Sequence, residues 1–190
     1  MAEGRSTYPR AQDEFYVEPP WCVALLLHHV DFNPGAYDPT CGLGTIPSVL
    51  RQSGLETAGS DIVDRADGEY PTRDFLSDAV TSDYWPNIIM NPPYRHCAEF
   101  ITRGIDEVRP SGRVAALVPL KFLASQGRHA LFTQPATELV LVLSRRPSIP
   151  PGKLLREYGE AVRKGGSIDF CWVVFRKGKN AGGCELKWAM

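Results

Sequence analysis

From Val114 to Leu120 the chain is unbroken apolar sequence, Val-Ala-Ala-Leu-Val-Pro-Leu, preceded by Arg113. A strand with one wet face alternates apolar and polar residues, because successive side chains point to opposite faces. An unbroken apolar run instead fits a strand buried on both faces, as in a parallel sheet sandwiched between helices. Trp85–Met90, Glu138–Ser144 and Ile168–Phe175 read the same way. After Met90, Cys97, Phe100, Ile101, Ile105 and Val108 fall at helical spacing, and Pro110-Ser111-Gly112 ends that run. Strands alternating with helices predict an α/β, doubly wound, mostly parallel sheet.

The remaining elements extend the alternation. Pro19-Pro20 opens a short apolar helix, Trp21–Val30, since proline suits a first helical turn. Ala36–Thr40 is a strand ending at Gly42, and Thr45 can cap a helix whose apolar face is Ile46, Val49 and Leu50, with Gly54 as its stop. Glu56–Ile62 and Arg73–Leu76 are the second and third strands, and a helix is expected over Lys121–Phe132. The total is about seven strands. With no repeat or linker, residues 15–190 read as one domain after a flexible leader, 1–14.

Composition excludes several classes. Hydrophobic residues are 43% and charged residues 23%, which places the chain among ordinary globular proteins rather than disordered ones. No apolar run approaches the roughly 20 residues of a membrane helix. The first residues mix charge signs without an apolar stretch, unlike a secretory signal, so the expected location is cytoplasmic. The five cysteines are scattered, with no CxxC, so neither a metal site nor a disulfide framework is expected.

In a doubly wound sheet, ligands bind beyond the carboxyl ends of the strands. The candidate motifs fall there. Asp38-Pro39-Thr40-Cys41-Gly42-Leu43-Gly44 closes the first strand with glycines that permit a tight turn and close approach of a ligand. Asp61, followed by Ile62, stands at the tip of the second strand, where an acid can accept hydrogen bonds from a ribose diol. Pro47 occupies the place of the third glycine of a dinucleotide fingerprint, so a nucleoside without a pyrophosphate is the better fit. Asp74 can bind an exocyclic amine of such a nucleoside's adenine while Phe75 packs on the ring, or the two can be a surface acid and a core aromatic.

The strongest signal is Asn91-Pro92-Pro93-Tyr94, directly after the apolar strand Trp85–Met90. Here the chain resembles the amino-group methyltransferases that carry an NPPY motif. Its glycine turn is most similar to that of the adenine-N6 DNA methyltransferases of restriction-modification and phage systems. The motif order agrees from Phe15-Tyr16-Val17-Glu18-Pro19 to the aromatic strand at Phe175, covering roughly residues 15–176. The resemblance implies a Rossmann-like sheet with its last strand antiparallel. It implies S-adenosyl-L-methionine as cofactor, held by Tyr16, Pro19, Asp38, Thr40, Gly42, Gly44, Asp61, Ile62, Asp74, Phe75 and Asn91. It assigns catalysis to Asn91, Pro92, Pro93 and Tyr94. The Asn91 side-chain oxygen and the Pro92 carbonyl accept the two N–H bonds of the target amine, turning its lone pair out of conjugation. The prolines stiffen the loop, and Tyr94 stacks on a base flipped out of the duplex. Phe170 or Trp172 can help to hold that base, or both can be sheet core. Cys97, on the apolar face of a helix, reads as core, not as a nucleophile, and no metal is needed.

From Arg145 to Lys179 there are nine basic and three acidic residues, a surplus of six in a chain whose net charge is -1. Much of it falls in a loop insert, 145–167, which can contact nucleic-acid phosphates or be a solvated face. The chain has little room for a separate target-recognition region. Its expected partner is therefore nucleic acid, DNA before RNA, with specificity that is short, relaxed or supplied by a partner protein. Three other functions fit the motifs: methylation of a protein glutamine, methylation of RNA bases, and a non-catalytic subunit that keeps the fold.

Overall fold

A computed structural model of the chain describes residues 14–79, 84–133, 136–178 and 183–190, so all but Glu14 of the expected leader lies outside the described residues, as does Lys179. The strands are β1 (Gly35–Asp38), β2 (Glu56–Gly59), β3 (Trp85–Met90), β4 (Val108–Pro119), β5 (Ala136–Leu143), β6 (Phe170–Arg176) and β7 (Glu185–Ala189). They form one seven-stranded sheet in the order β2-β1-β3-β4-β6-β5-β7. Neighbours run parallel except at β6, which is antiparallel to both β4 and β5. The doubly wound, mostly parallel α/β sheet is thus the one that forms, and its antiparallel member is the expected aromatic strand.

The apolar run in β4 is explained by two cores. Val114, Ala116 and Val118 pack with Ile88, Ile101 and Phe175 on one face. Ala115 and Leu117 pack with Leu26, Leu50 and Trp172 on the other. Helices α1 (Pro20–His29) and α2 (Thr45–Gln52) supply the second face, and α3 (Cys97–Glu107) supplies the first. Each fully buried aliphatic side chain contributes about 1.5–3 kcal/mol. Among the described residues no helix is long and apolar enough to cross a membrane.

Several expectations need correction. Arg73–Leu76 is not a strand, because only the bridge between Asp61 and Thr72 forms there. The seventh strand is instead β7, parallel to β5 at the opposite edge. It escaped the sequence reading because its large apolar residues, Leu186 and Trp188, face solvent while Ala189 is buried. The expected helix over Lys121–Phe132 breaks into 3-10 turns at Leu120–Leu123 and Gln126–Arg128 and a short α4 (His129–Thr133). Ser125 is extended, and Arg128 Nε donates to the Phe122 carbonyl at 2.8 Å, capturing an acceptor that a continuous helix would use. Helix α2 is preceded by Gly44 in the left-handed region, so Thr45 is its first residue and not its cap. Helix α3 stops at Glu107, and Val108 already pairs with Trp85 in the sheet. Within the expected loop insert, residues 147–152 are buried, and α5 (Gly152–Tyr158) and a 3-10 turn at Gly159–Val162 follow, so much of it is folded.

Candidate active site

The strand order reverses direction around β1, with β2 on one side and β3 on the other. Beyond the carboxyl ends of these strands lies a cleft of about 700 Å³, a size that takes a nucleoside-sized ligand. It brings together Tyr16, Thr40, Gly42, Asp61, Ile62, Asp74, Phe75, Asn91 and Pro93, from five separate stretches of sequence. Of the other expected site residues, Pro19, Asp38, Gly44, Pro92 and Tyr94 do not line it.

Asp38 works from behind. It is 1% exposed, and its Oδ1 accepts from the Thr40 amide at 2.9 Å and hydroxyl at 3.1 Å, fixing the start of the turn. Burial, reinforced by the charge of Glu18, pushes its carboxyl well above the usual range. The turn then comes within contact of the N-terminal segment. Gly42 has φ of 54°, and a Cβ on it would stand 2.8 Å from the Phe15 ring. The Gly42 amide donates to Asp61 Oδ2 at 2.9 Å, while Asp61 Oδ1 accepts from the Val63 amide and Arg65 Nε, both at 3.2 Å. Arg65 lies over the Phe15 ring at 4.2 Å. Glycine turn, strand-two acid and N-terminal segment are therefore one connected unit.

Asp74 caps its own turn, accepting from the Leu76 and Ser77 amides at 3.1 and 3.2 Å. The hydrogen bonds from Ser77 hold its carboxyl below the usual range. Phe75 is buried but reaches the cleft wall, stacked on Phe100 at 5.6 Å.

At the end of β3, Asn91 Nδ2 donates to the Tyr16 carbonyl at 3.0 Å and to Glu18 Oε2 at 2.9 Å. Asn91 Oδ1 is buried without a hydrogen-bond partner. The Tyr94 hydroxyl is also buried without one, and burial, with the charge of Glu18 next, pushes it well above the ordinary tyrosine range. The Tyr94 ring packs nearly parallel to Tyr16 at 6.1 Å and beside Phe170 at 5.9 Å. Trp172 is core: it is fully buried, and its Nε1 donates to the Cys22 carbonyl at 2.9 Å. Cys97 is core as well.

Sequence reasoning passed over several residues of this site, among them Phe15, Glu18 and Arg73. All three line the cleft. For Glu18 a signal was present, an acid beside Pro19-Pro20 within the first motif. Arg73 carries no local signal, since its partner Glu107 lies far away in the chain.

No protein-family model matches the chain, and neither does any curated protein. Solved structures do. A predicted O-methyltransferase from Agrobacterium tumefaciens aligns with TM-score 0.61 at 14% identity, over 90% of this chain and 85% of that one. A putative class I S-adenosylmethionine-dependent methyltransferase from Listeria monocytogenes aligns with TM-score 0.59 at 14% identity, over 89% of this chain and 63% of that one. The M protein of the type I restriction enzyme EcoKI aligns with TM-score 0.56 at 15% identity, over 84% of this chain and 43% of that one. The chain thus has the fold of the class I S-adenosylmethionine-dependent methyltransferases. It spans well under two thirds of the EcoKI subunit it matches.

Proposed function

We propose that this protein is an S-adenosylmethionine-dependent methyltransferase acting on an exocyclic amino nitrogen, N6 of adenine in DNA, on a base turned out of the duplex. The observation that carries this reading is the buried, unpartnered Oδ1 of Asn91 at the end of β3, beside the cleft. A buried acceptor without a partner costs about 1–3 kcal/mol, and that cost is recovered if the cleft parts over Oδ1 on binding and a substrate N–H reaches it.

The cleft residues fit the cofactor. Gly42 lets the turn lie against the Phe15 ring that lines the cleft, Asp61 offers a carboxylate beside the turn, and Ile62 and Phe75 provide an apolar wall. When bound, S-adenosylmethionine supplies an electrophilic methyl group. The chain's own part is to orient the nucleophile. Asn91 Oδ1, together with the Pro92 carbonyl, accepts the two N–H bonds of the target amine, which localises the lone pair and stabilises the positive charge that develops on nitrogen. Pro92 and Pro93 limit the loop's freedom, so the acceptors need not be ordered during reaction. Tyr94 and Phe170 pack behind Tyr16, which lines the cleft beside Asn91 and supplies an aromatic edge suited to a flat heterocycle. The restriction-enzyme M protein among the similar structures, the NPPY sequence and the surplus of basic residues after Arg145 support a nucleic-acid substrate.

The test is transfer of labelled methyl from S-adenosylmethionine to unmethylated DNA, with RNA and cell protein as parallel acceptors and nucleoside analysis of the product. N6-methyladenine in DNA is expected. Label in RNA or in protein glutamine would move the substrate and keep the role of Asn91, and no label in any acceptor would overturn the reading.

A further inference from the structure

The two ends of an asparagine amide differ in chemistry but hardly in shape, so what faces a substrate depends on the partners of each end. Asn91 Nδ2 meets two acceptors, the Tyr16 carbonyl at 3.0 Å and Glu18 Oε2 at 2.9 Å. We propose that Glu18 is a positioning residue, locking the Asn91 amide with Oδ1, not Nδ2, presented to the reacting amine. This rests on the function proposed above and adds a residue outside the NPPY motif.

Glu18 is well placed to do so. The residue is 6% exposed, and that burial makes its bond to Asn91 strong and its loss costly. Its backbone is anchored separately. Arg163 Nη1 donates to the Val17 carbonyl at 2.9 Å and the Ser148 carbonyl at 2.8 Å, and Nη2 to the Glu18 carbonyl at 3.3 Å. Val17 in turn donates to the Pro150 carbonyl at 3.0 Å. A flipped amide would set Oδ1 against two acceptors. The carboxylate form of Glu18 forbids that, whereas the protonated form can donate to Oδ1 and permit it. Burial raises the Glu18 carboxyl above the ordinary glutamate range, partly offset by Asn91 and by the charge of Arg163. The other titratable groups coupled to it are Asp38 from β1, Cys22 from α1 and Tyr94, all themselves shifted up. The lock should therefore loosen on acidification at a pH higher than an ordinary glutamate would give.

The experiment follows the side-chain amide resonances of Asn91, identified by their absence in N91A, in cofactor-free protein across pH, and compares wild type with E18Q and E18A. In wild type the resonances should titrate with one carboxyl, and in E18Q that titration should vanish. In methyl transfer, E18A should lower kcat by about 10- to 100-fold, the scale of a misoriented catalytic group, with KM for S-adenosylmethionine nearly unchanged. E18Q, which keeps an acceptor oxygen, should recover part of kcat and lose the acidic limb of the pH profile. Asn91 resonances indifferent to pH in wild type, or parallel losses in kcat, KM and thermal stability in both variants, would overturn the proposal. Coupled resonances without methyl transfer to any acceptor would support the lock and overturn the methyl-transfer reading.

Discussion

Glu107, with no exposed side-chain surface at the end of α3, accepts a hydrogen bond from Nη2 of Arg73 at 2.9 Å. The same carboxylate accepts from Arg103 Nε at 2.8 Å, and Arg103 Nη2 donates to the Asp78 carbonyl at 2.6 Å. Arg73 also donates its amide to the Asp61 carbonyl at 2.8 Å. Where a third strand was expected, a buried carboxylate and two arginines hold the segment carrying Asp74 and Phe75 against the sheet.

Replacing Glu107 by alanine removes the carboxylate that Arg73 and Arg103 share, leaving Arg73 with the Tyr37 hydroxyl and Arg103 with the Asp78 carbonyl. Loss of one partner of such a cluster costs about 3 kcal/mol. Urea unfolding of Glu107→Ala should show that loss as a lower midpoint at unchanged slope, and titration calorimetry should show weaker cofactor binding. A midpoint within experimental scatter of wild type would mean that the cluster does not stabilise this segment.

Asn91 and Asp61 should separate by function. Asn91→Ala removes the acceptor proposed for the target amine and should lower turnover by at least about 100-fold, the scale of losing one preorganised transition-state contact, while leaving cofactor affinity close to wild type. Asp61→Ala should weaken cofactor binding instead, and it also frees the Gly42 amide that Asp61 now accepts. Calorimetry with S-adenosylhomocysteine beside single-turnover methyl transfer measures both, and identical behaviour of the two variants would contradict the division.

The basic insert should divide as well. Arg146 and Arg156 form exposed ion pairs with Asp169 and Asp67, contacts worth little in water, so these arginines remain available to phosphate. Charge reversal at Arg145 and Arg146, or at Lys153 and Arg156, should weaken DNA binding in gel shifts without changing cofactor affinity. Arg163 belongs to the architecture, with its side chain 10% exposed and bound to two main-chain carbonyls through Nη1. Arg163→Ala should therefore lower the melting temperature, and a stable Arg163→Ala protein with weakened DNA binding would reverse that assignment.

The fold was legible where hydrophobic pattern and position agreed. The apolar strands and helix α3 follow from periodicity, because burial on both faces leaves no room for polar residues. Legibility failed where tertiary contacts outweighed pattern. Arg73–Leu76 has the look of a strand but is tied down by Glu107, and β7 pairs through its backbone while Trp188 stands 67% exposed. Arg128 took the Phe122 carbonyl and broke a helix that composition allowed.

The sequence by itself determined the doubly wound sheet and set the glycine turn, Asp61 and Asn91 at strand ends, since strand and helix periods dictate where turns must fall. Only the tertiary structure decided which way the Asn91 amide points, because its partners Tyr16 and Glu18 lie more than seventy positions away. It also decided that Asp38 supports the turn from behind the cleft, and that Arg163 is a structural cation rather than a free one. Hydrogen-bond partners and burial are properties of distance in space, and local periodicity carries no information about them.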